Sequence, residues 1–104
     1  MFEFIGKWMK QKWVLKHRTR KALKKSILKW ERIVAGTQCD GGSRDCALCH
    51  LFNKTGDAQC EGCPVKTATG HTACRGTPYV DYRYAVDKRI VAKRMLDFLK
   101  GLKV

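Results

Sequence analysis

The sequence lacks any apolar run close to the ~20 residues that a membrane-spanning helix requires. Its first sixteen residues also lack the unbroken apolar core of a secretory signal, because four lysines interrupt them. Carboxylates are scarce, with nine Asp and Glu against 22 Lys and Arg. No nucleophile beside a base is visible, and no deaminase or metalloprotease pattern occurs. These absences predict a cytoplasmic protein that is not an enzyme.

Six cysteines stand out against this background, and five of them follow a repeat of fourteen residues. Cys46-Ala-Leu-Cys49 is followed by Cys60-Glu-Gly-Cys63, and then by Cys74-Arg-Gly-Thr77. In a reducing compartment, clustered cysteines serve as metal ligands or redox groups more often than as disulfides. The repeat therefore favours a metal site in the middle of the chain.

The spacing of the thiols is typical of zinc. Two residues between cysteines let both sulfurs face one ion at ~2.3 Å, so two such pairs can close a tetrahedral site. In the third unit Thr77 replaces the second thiol, which leaves Cys74 to contend for one of the four positions or to bridge a second metal with Cys39. The predicted ligands are Cys46, Cys49, Cys60, Cys63 and the contender Cys74.

Other interpretations of these residues stay open. The Cys63-Pro64 pair is also found in ferredoxin-type sites, so an iron–sulfur cluster is one alternative to zinc. Disulfides or free thiols are the other, with equal weight. His50 and His71 lie close to the thiols in sequence. Each could replace a thiolate, form a hydrogen bond to a metal ligand, or lie at the surface.

Charge divides the chain into three parts. Residues 1–35 hold eleven Lys or Arg against two Glu, residues 36–79 hold four charges of each sign, and residues 80–104 hold seven cations against three anions. The net charges are +9, zero and +4, which together make +13. We therefore divide the single predicted domain into a basic arm (1–35), a cysteine-rich metal-binding segment (36–79) and a basic C-terminal segment (80–104).

Both basic segments show helical periodicity. Leu23, Ile27, Trp30 and Val34 recur at steps of three and four residues, and Gly36 is suited to a left-handed helix end. Residues 1–35 could form one long helix or two helices hinged near Gly6 or residues 16–21. The apolar stripe is widened by Ala22, Leu28 and Ile33, with Lys24, Lys25, Lys29 and Arg32 predicted on the solvent side.

A C-terminal helix is predicted with Asp81 or Asp87 as its N-cap and Gly101 at its end. The alternation in residues 79–82 is consistent with a short strand. The predicted fold class is small and mainly α, with amphipathic basic helices flanking an irregular zinc-knuckle module that has little or no β. The apolar face of the C-terminal helix comprises Val86, Ile90, Val91, Met95, Phe98, Leu99 and Leu102.

A charge of +13 on 104 residues exceeds what solubility requires, so a polyanion is the favoured partner, and nucleic acid is the first choice. Two other interpretations of the basic helices are less favoured. The cations could simply be the solvated face of a helix. The helix could instead lie on a membrane surface, but the polar stretch at 16–21 would interrupt its apolar face. The alternative partner is a host protein whose groove accepts the Trp and Leu face; no small-molecule substrate is expected. The predicted phosphate contacts are Lys16, Arg18, Arg20, Lys21, Lys24, Lys25, Lys88, Arg89, Lys93 and Arg94.

Three short motifs carry a resemblance to a family. Residues 46–49 (Cys-Ala-Leu-Cys), 62–65 (Gly-Cys-Pro-Val) and 74–79 (Cys-Arg-Gly-Thr-Pro-Tyr), together with 25–31, resemble an uncharacterised family of small cysteine-rich phage and bacterial proteins. The similarity covers about residues 22–80. The resemblance itself supplies no function. The phage origin it suggests would suit an accessory protein that binds DNA or RNA, or a phage-encoded inhibitor or adaptor that docks on a host protein, in the cytoplasm of a bacterial host cell.

Overall fold

Helices dominate the chain, and the prediction of a mainly α fold is confirmed. The computed structural model describes residues 2–52, 60–82 and 84–102, with side chains from Val14 onward except that of Ser43. No strand occurs within these ranges. The elements in chain order are α1 (Phe2–Ala35), a short 3-10 helix (Gly42–Asp45), α2 (Ala47–Phe52), α3 (Pro64–Thr69), α4 (Tyr79–Tyr82) and α5 (Lys88–Lys100).

The basic arm is one continuous helix, α1, of 34 residues. It ends at Ala35 as predicted, because Gly36 adopts the left-handed conformation with φ of 80°. The N–H of Thr37 then donates to the carbonyl of Arg32 at 3.0 Å, a bond that closes a left-handed helix end. No helix among the described residues has the length and apolarity needed to cross a membrane.

The core lies where α1 packs against α5 and α2. Trp30 of α1 is 3% exposed, and Ala92, Met95 and Leu99 of α5 are at most 3% exposed. Of the predicted apolar face of this segment, Val91, Met95 and Leu99 are confirmed as buried, but Val86 and Ile90 are exposed. The first buried side chain of α1 in the described part is Ala22, so its core contacts belong to its C-terminal half.

Residues 79–82 form the helical turn α4, so the strand expected there is wrong. The Thr77 hydroxyl accepts a hydrogen bond from the N–H of Tyr79 at 3.2 Å and thereby starts a helix. Tyr79 and Tyr82, three residues apart, both meet Trp30 edge-on with centroid distances of 5.8 and 5.2 Å. In a strand they would point to opposite faces, and only one of them could touch Trp30.

The N-cap of α5 is Asp87, one of the two predicted candidates. Its carboxylate accepts from the N–H groups of Arg89 at 3.1 Å and Ile90 at 3.4 Å. We expect Asp87→Ala to lower the free energy of unfolding by about 1 kcal/mol in urea titrations, because these donors lose their partner. The matched change Asp97→Ala lies near the C-terminal end of the same helix, where an anion is unfavourable. It should leave stability equal or slightly higher; a loss equal to that of Asp87→Ala would contradict the capping role.

Candidate metal centre and basic surface

The five predicted ligand cysteines line one cavity of about 250 Å³. None of them is in a disulfide. The sixth cysteine, Cys39, is exposed and does not line the cavity, so the described residues give no support to the alternative in which it bridges metals with Cys74. The lining thiols are those of Cys46, Cys49, Cys60, Cys63 and Cys74.

The first thiol pair is positioned by α2. Cys46 ends the 3-10 helix in an extended conformation, and α2 begins at the next residue. Its carbonyl accepts from the N–H of His50 at 3.0 Å, so the segment between the two thiols is the first turn of the helix. One turn brings Cys49 to the same cavity as Cys46, as the spacing predicts.

The second pair sits on a tight turn that leads into α3. Cys60 has φ of 60° and Gly62 has φ of 86°, and the N–H of Cys63 donates to the carbonyl of Cys60 at 3.0 Å. Only glycine adopts such a φ without strain, and a Cβ on Gly62 would also lie 3.2 Å from the ring of Phe52. Gly62 therefore lets this turn fold against α2.

Cys74 approaches from a third turn that is completed by Thr77. The Thr77 hydroxyl donates to the carbonyl of Cys74 at 2.6 Å, and the side chain of Thr77 is buried. Thr77, which replaces a thiol in the third repeat, thus holds the backbone of Cys74 in place through this hydrogen bond. Cys74 is partly buried within the hydrophobic core.

Cys46 is the thiol most easily ionised. A hydrogen bond from the Cys49 thiol lowers the pKa of Cys46 to about 6, against burial, with help from the Lys29 ammonium and the Ser26 hydroxyl. The Ser26 oxygen lies 4.0 Å from the Cys46 sulfur. The same bond raises the pKa of Cys49, because the proton it shares is held between the two sulfurs.

The thiols of Cys63 and Cys74 resist ionisation. Burial raises the pKa of Cys63, although the N–H groups of Val65 and Lys66 stabilise its thiolate. Burial, followed by the negative charge of Cys46 and the other neighbouring sulfurs, raises the pKa of Cys74 to about 12. The cavity therefore favours one thiolate, and further thiolates require a cation among them.

The donor set can be compared with the needs of a metal ion. Across the described residues, no group of three or more Cys, His, Asp or Glu side chains is arranged to hold a metal. The chemistry of the lining nevertheless fits zinc, since five thiols share one cavity and repel one another when ionised. A divalent cation would remove that repulsion and release the thiol protons.

An ion cluster that the sequence interpretation missed lies beside the thiols. The Lys29 ammonium is 2.8 Å from Asp40 and 2.6 Å from Asp45, and its side chain is only 5% exposed. The Tyr79 hydroxyl donates to the second oxygen of Asp40 at 2.9 Å. Lys29 also lines the thiol cavity. The cluster joins α1 to the segment that precedes Cys46.

The charges of this cluster support one another. Burial is the largest single influence and opposes ionisation of all three groups, but the hydrogen bonds and the charge attraction together outweigh it. The pKa of Lys29 is consequently raised, and the pKa values of Asp40 and Asp45 are lowered. The prediction that Lys29 faces solvent and Leu28 widens the apolar stripe is wrong, since Leu28 is 43% exposed.

The two histidines near the thiols differ in position. His71 lines the thiol cavity, whereas His50 does not. The ring of His50 instead donates its Nε2–H to the carbonyl of Arg44 at 2.6 Å. His50 borders a second, more open concavity between α1 and α2.

The ten predicted phosphate contacts are all exposed side chains of α1 or α5. Arg89 also has a structural contact, because its Nε–H donates to the carbonyl of Val34 at 3.1 Å and ties α5 to the end of α1. Three of the ten, Arg18, Lys21 and Lys25, line the concavity between α1 and α2. The comparisons with protein-family models, curated proteins and solved structures found no match to this chain.

Proposed function

We propose that this chain is a zinc-stabilised basic accessory protein, of phage or bacterial origin, that binds nucleic acid. The observation that carries the proposal is the exposure of all ten predicted cations on α1 and α5 in a chain of net charge +13. Exposed surface cations in this number attract the phosphate backbone without regard to sequence. Zinc would hold together the short helices that bear the thiols and would thereby keep them packed beside α1.

The metal would be held by Cys46, Cys49, Cys60 and Cys63, with Cys74 contending for one of these four positions. Four thiolates make a closed, structural site that leaves no position for a substrate, which agrees with a non-enzymatic role. Metal analysis of the purified, reduced protein should give one or two zinc per chain. A brown protein with broad visible absorbance would instead indicate an iron–sulfur cluster.

Nucleic-acid binding is expected to depend steeply on salt. In mobility-shift titrations with an oligonucleotide of mixed sequence, affinity should fall by about 10³-fold or more between ~50 and ~200 mM salt if six or more phosphates are neutralised. Changing the oligonucleotide sequence should alter it little. Absence of binding at low salt, or binding indifferent to salt, would contradict the proposal.

The second candidate is a protein-binding module, such as a phage-encoded inhibitor or adaptor. It is favoured by the apolar side chains exposed between α4 and α5 and at the start of α5, where Tyr84 is 84% and Ile90 53% exposed. Trp30 does not contribute to such a face, because it lies in the core. Affinity capture from bacterial lysate with and without nuclease separates the candidates, since a partner that survives nuclease favours protein binding.

A further inference from the structure

We propose that the groove between α1 and α2 binds the phosphates of a nucleic-acid strand. The groove encloses about 320 Å³, and its polar lining consists of Arg18, Lys21 and Lys25 of α1 with His50 of α2. This inference rests on the proposed function and adds to it a defined contact site among the many exposed cations.

The lining of the groove has one sign of charge. No carboxylate of the described residues borders it, and the remaining lining residues, Ala22, Ala47 and Leu51, are apolar. None of the ion pairs between described residues involves Arg18, Lys21 or Lys25. Cations at spacings of three and four residues on a helix repel one another, and an anion between them removes that cost. The groove is therefore suited to an anion with several charged oxygens.

Its length also suits a chain of phosphates. Arg18 and Lys25 are seven residues apart, which is about 10 Å along a helix at 1.5 Å per residue. Along the axis of a duplex, each strand places one phosphate about every 3.4 Å. The three cations therefore span about three phosphates of one strand. Arginine adds a planar fork that can grip one phosphate through two N–H bonds, while the lysines act as point charges.

The second wall of the groove is fixed to the thiol cavity. Helix α2 places Cys49 in the cavity and the next residue, His50, at the groove. The His50 ring is held in place by its bond to the carbonyl of Arg44. Because the wall is built on the segment that would bind metal, the groove has a defined shape, which distinguishes it from cations on a solvated helix face.

The test compares two triple variants that remove the same charge. The groove variant is Arg18→Gln, Lys21→Gln, Lys25→Gln; the control is Arg32→Gln, Arg44→Gln, Lys100→Gln, at exposed positions outside the groove and outside the ten predicted contacts. Binding to fluorescein-labelled single-stranded and duplex DNA is followed by anisotropy over a range of salt. The groove variant should lose about tenfold or more in affinity, and the magnitude of its salt slope should fall by about 2–3. The control should lose less than about threefold in affinity.

The possible outcomes separate the proposal that the groove binds phosphates from the proposal that the protein binds nucleic acid at all. Equal losses in the two triples would overturn the groove while leaving nucleic-acid binding intact. A wild-type protein that binds neither DNA would refute the proposed function and the groove together. Binding to phosphatidylserine vesicles but not to DNA would assign the cations to a membrane surface and likewise overturn the inference. Far-UV circular dichroism should match across all proteins, and Lys21→Gln alone should give about a third of the slope change.

Discussion

Cys63→Ser is expected to abolish zinc binding and to unfold the thiol-bearing segment. Cys63 is 7% exposed, opens α3, and receives N–H donors from the first turn of that helix. A serine hydroxyl is a poor zinc ligand and is itself costly to bury. Structural zinc contributes about 10–16 kcal/mol in small domains, so the loss of one of four thiolates should remove several kcal/mol of stability. Metal analysis and urea unfolding measure the two effects.

The matched control is Cys39→Ser, which changes the same atom at an exposed cysteine outside the cavity. It should keep the zinc content and the urea midpoint of the wild type. Cys74→Ser tests the fifth thiol, because zinc retained in that variant makes Cys74 the spare residue. If Cys63→Ser kept its zinc, or Cys39→Ser lost it, the proposed ligand set would be wrong.

Lys29→Met is expected to lower the free energy of unfolding by about 2–4 kcal/mol. Methionine fills a similar volume but leaves Asp40 and Asp45 without their counter-ion. Breaking a buried ion pair usually costs about 3–5 kcal/mol. We place the value lower because the side chain of Asp45 is 33% exposed and water screens part of its charge. Thermal unfolding should show a drop of more than about 10 °C in Tm.

Lys24→Met provides the control, since Lys24 is an exposed lysine on the same helix. Its effect should stay within about 0.5 kcal/mol. Combining Lys29→Met with Asp40→Asn and Asp45→Asn should recover part of the loss, because no unpaired charge then remains. Equal stability of Lys29→Met and Lys24→Met would mean that the cluster contributes nothing.

The position of the thiols around one cavity could be predicted, because the number of residues between two cysteines limits where their sulfurs can point. Cys46 and Cys49 are separated by one helical turn, so they reach the same cavity whatever the rest of the chain does. The end of α1 was predictable for a similar reason, since Gly36 alone decides the local backbone. Cys39, which does not belong to the fourteen-residue repeat, is exposed and lies outside the cavity.

The ion cluster and α4 could not be predicted, because both depend on contacts between distant residues. Lys29 meets Asp40 across a loop, and periodicity assigns a lysine to solvent unless its partner is known. The alternation in residues 79–82 suits a strand, but Trp30, nearly fifty positions earlier, selects the helical turn by accepting two tyrosines on one face. Local pattern loses to tertiary packing at such positions.

Because α1 is long and basic, ionic strength has two opposing effects on it. From Val14 to Lys21 its side chains are exposed apart from the half-buried Thr19, so this stretch gains little from the core. Like charges four residues apart, such as Lys16 and Arg20, disfavour the helix by about 0.2–0.5 kcal/mol per pair. Added salt screens that repulsion and stiffens the helix, yet the same salt weakens the hold of its cations on a polyanion. A bound phosphate chain would supply both the neutralisation and the attraction, so the helix would be firmest when it is occupied.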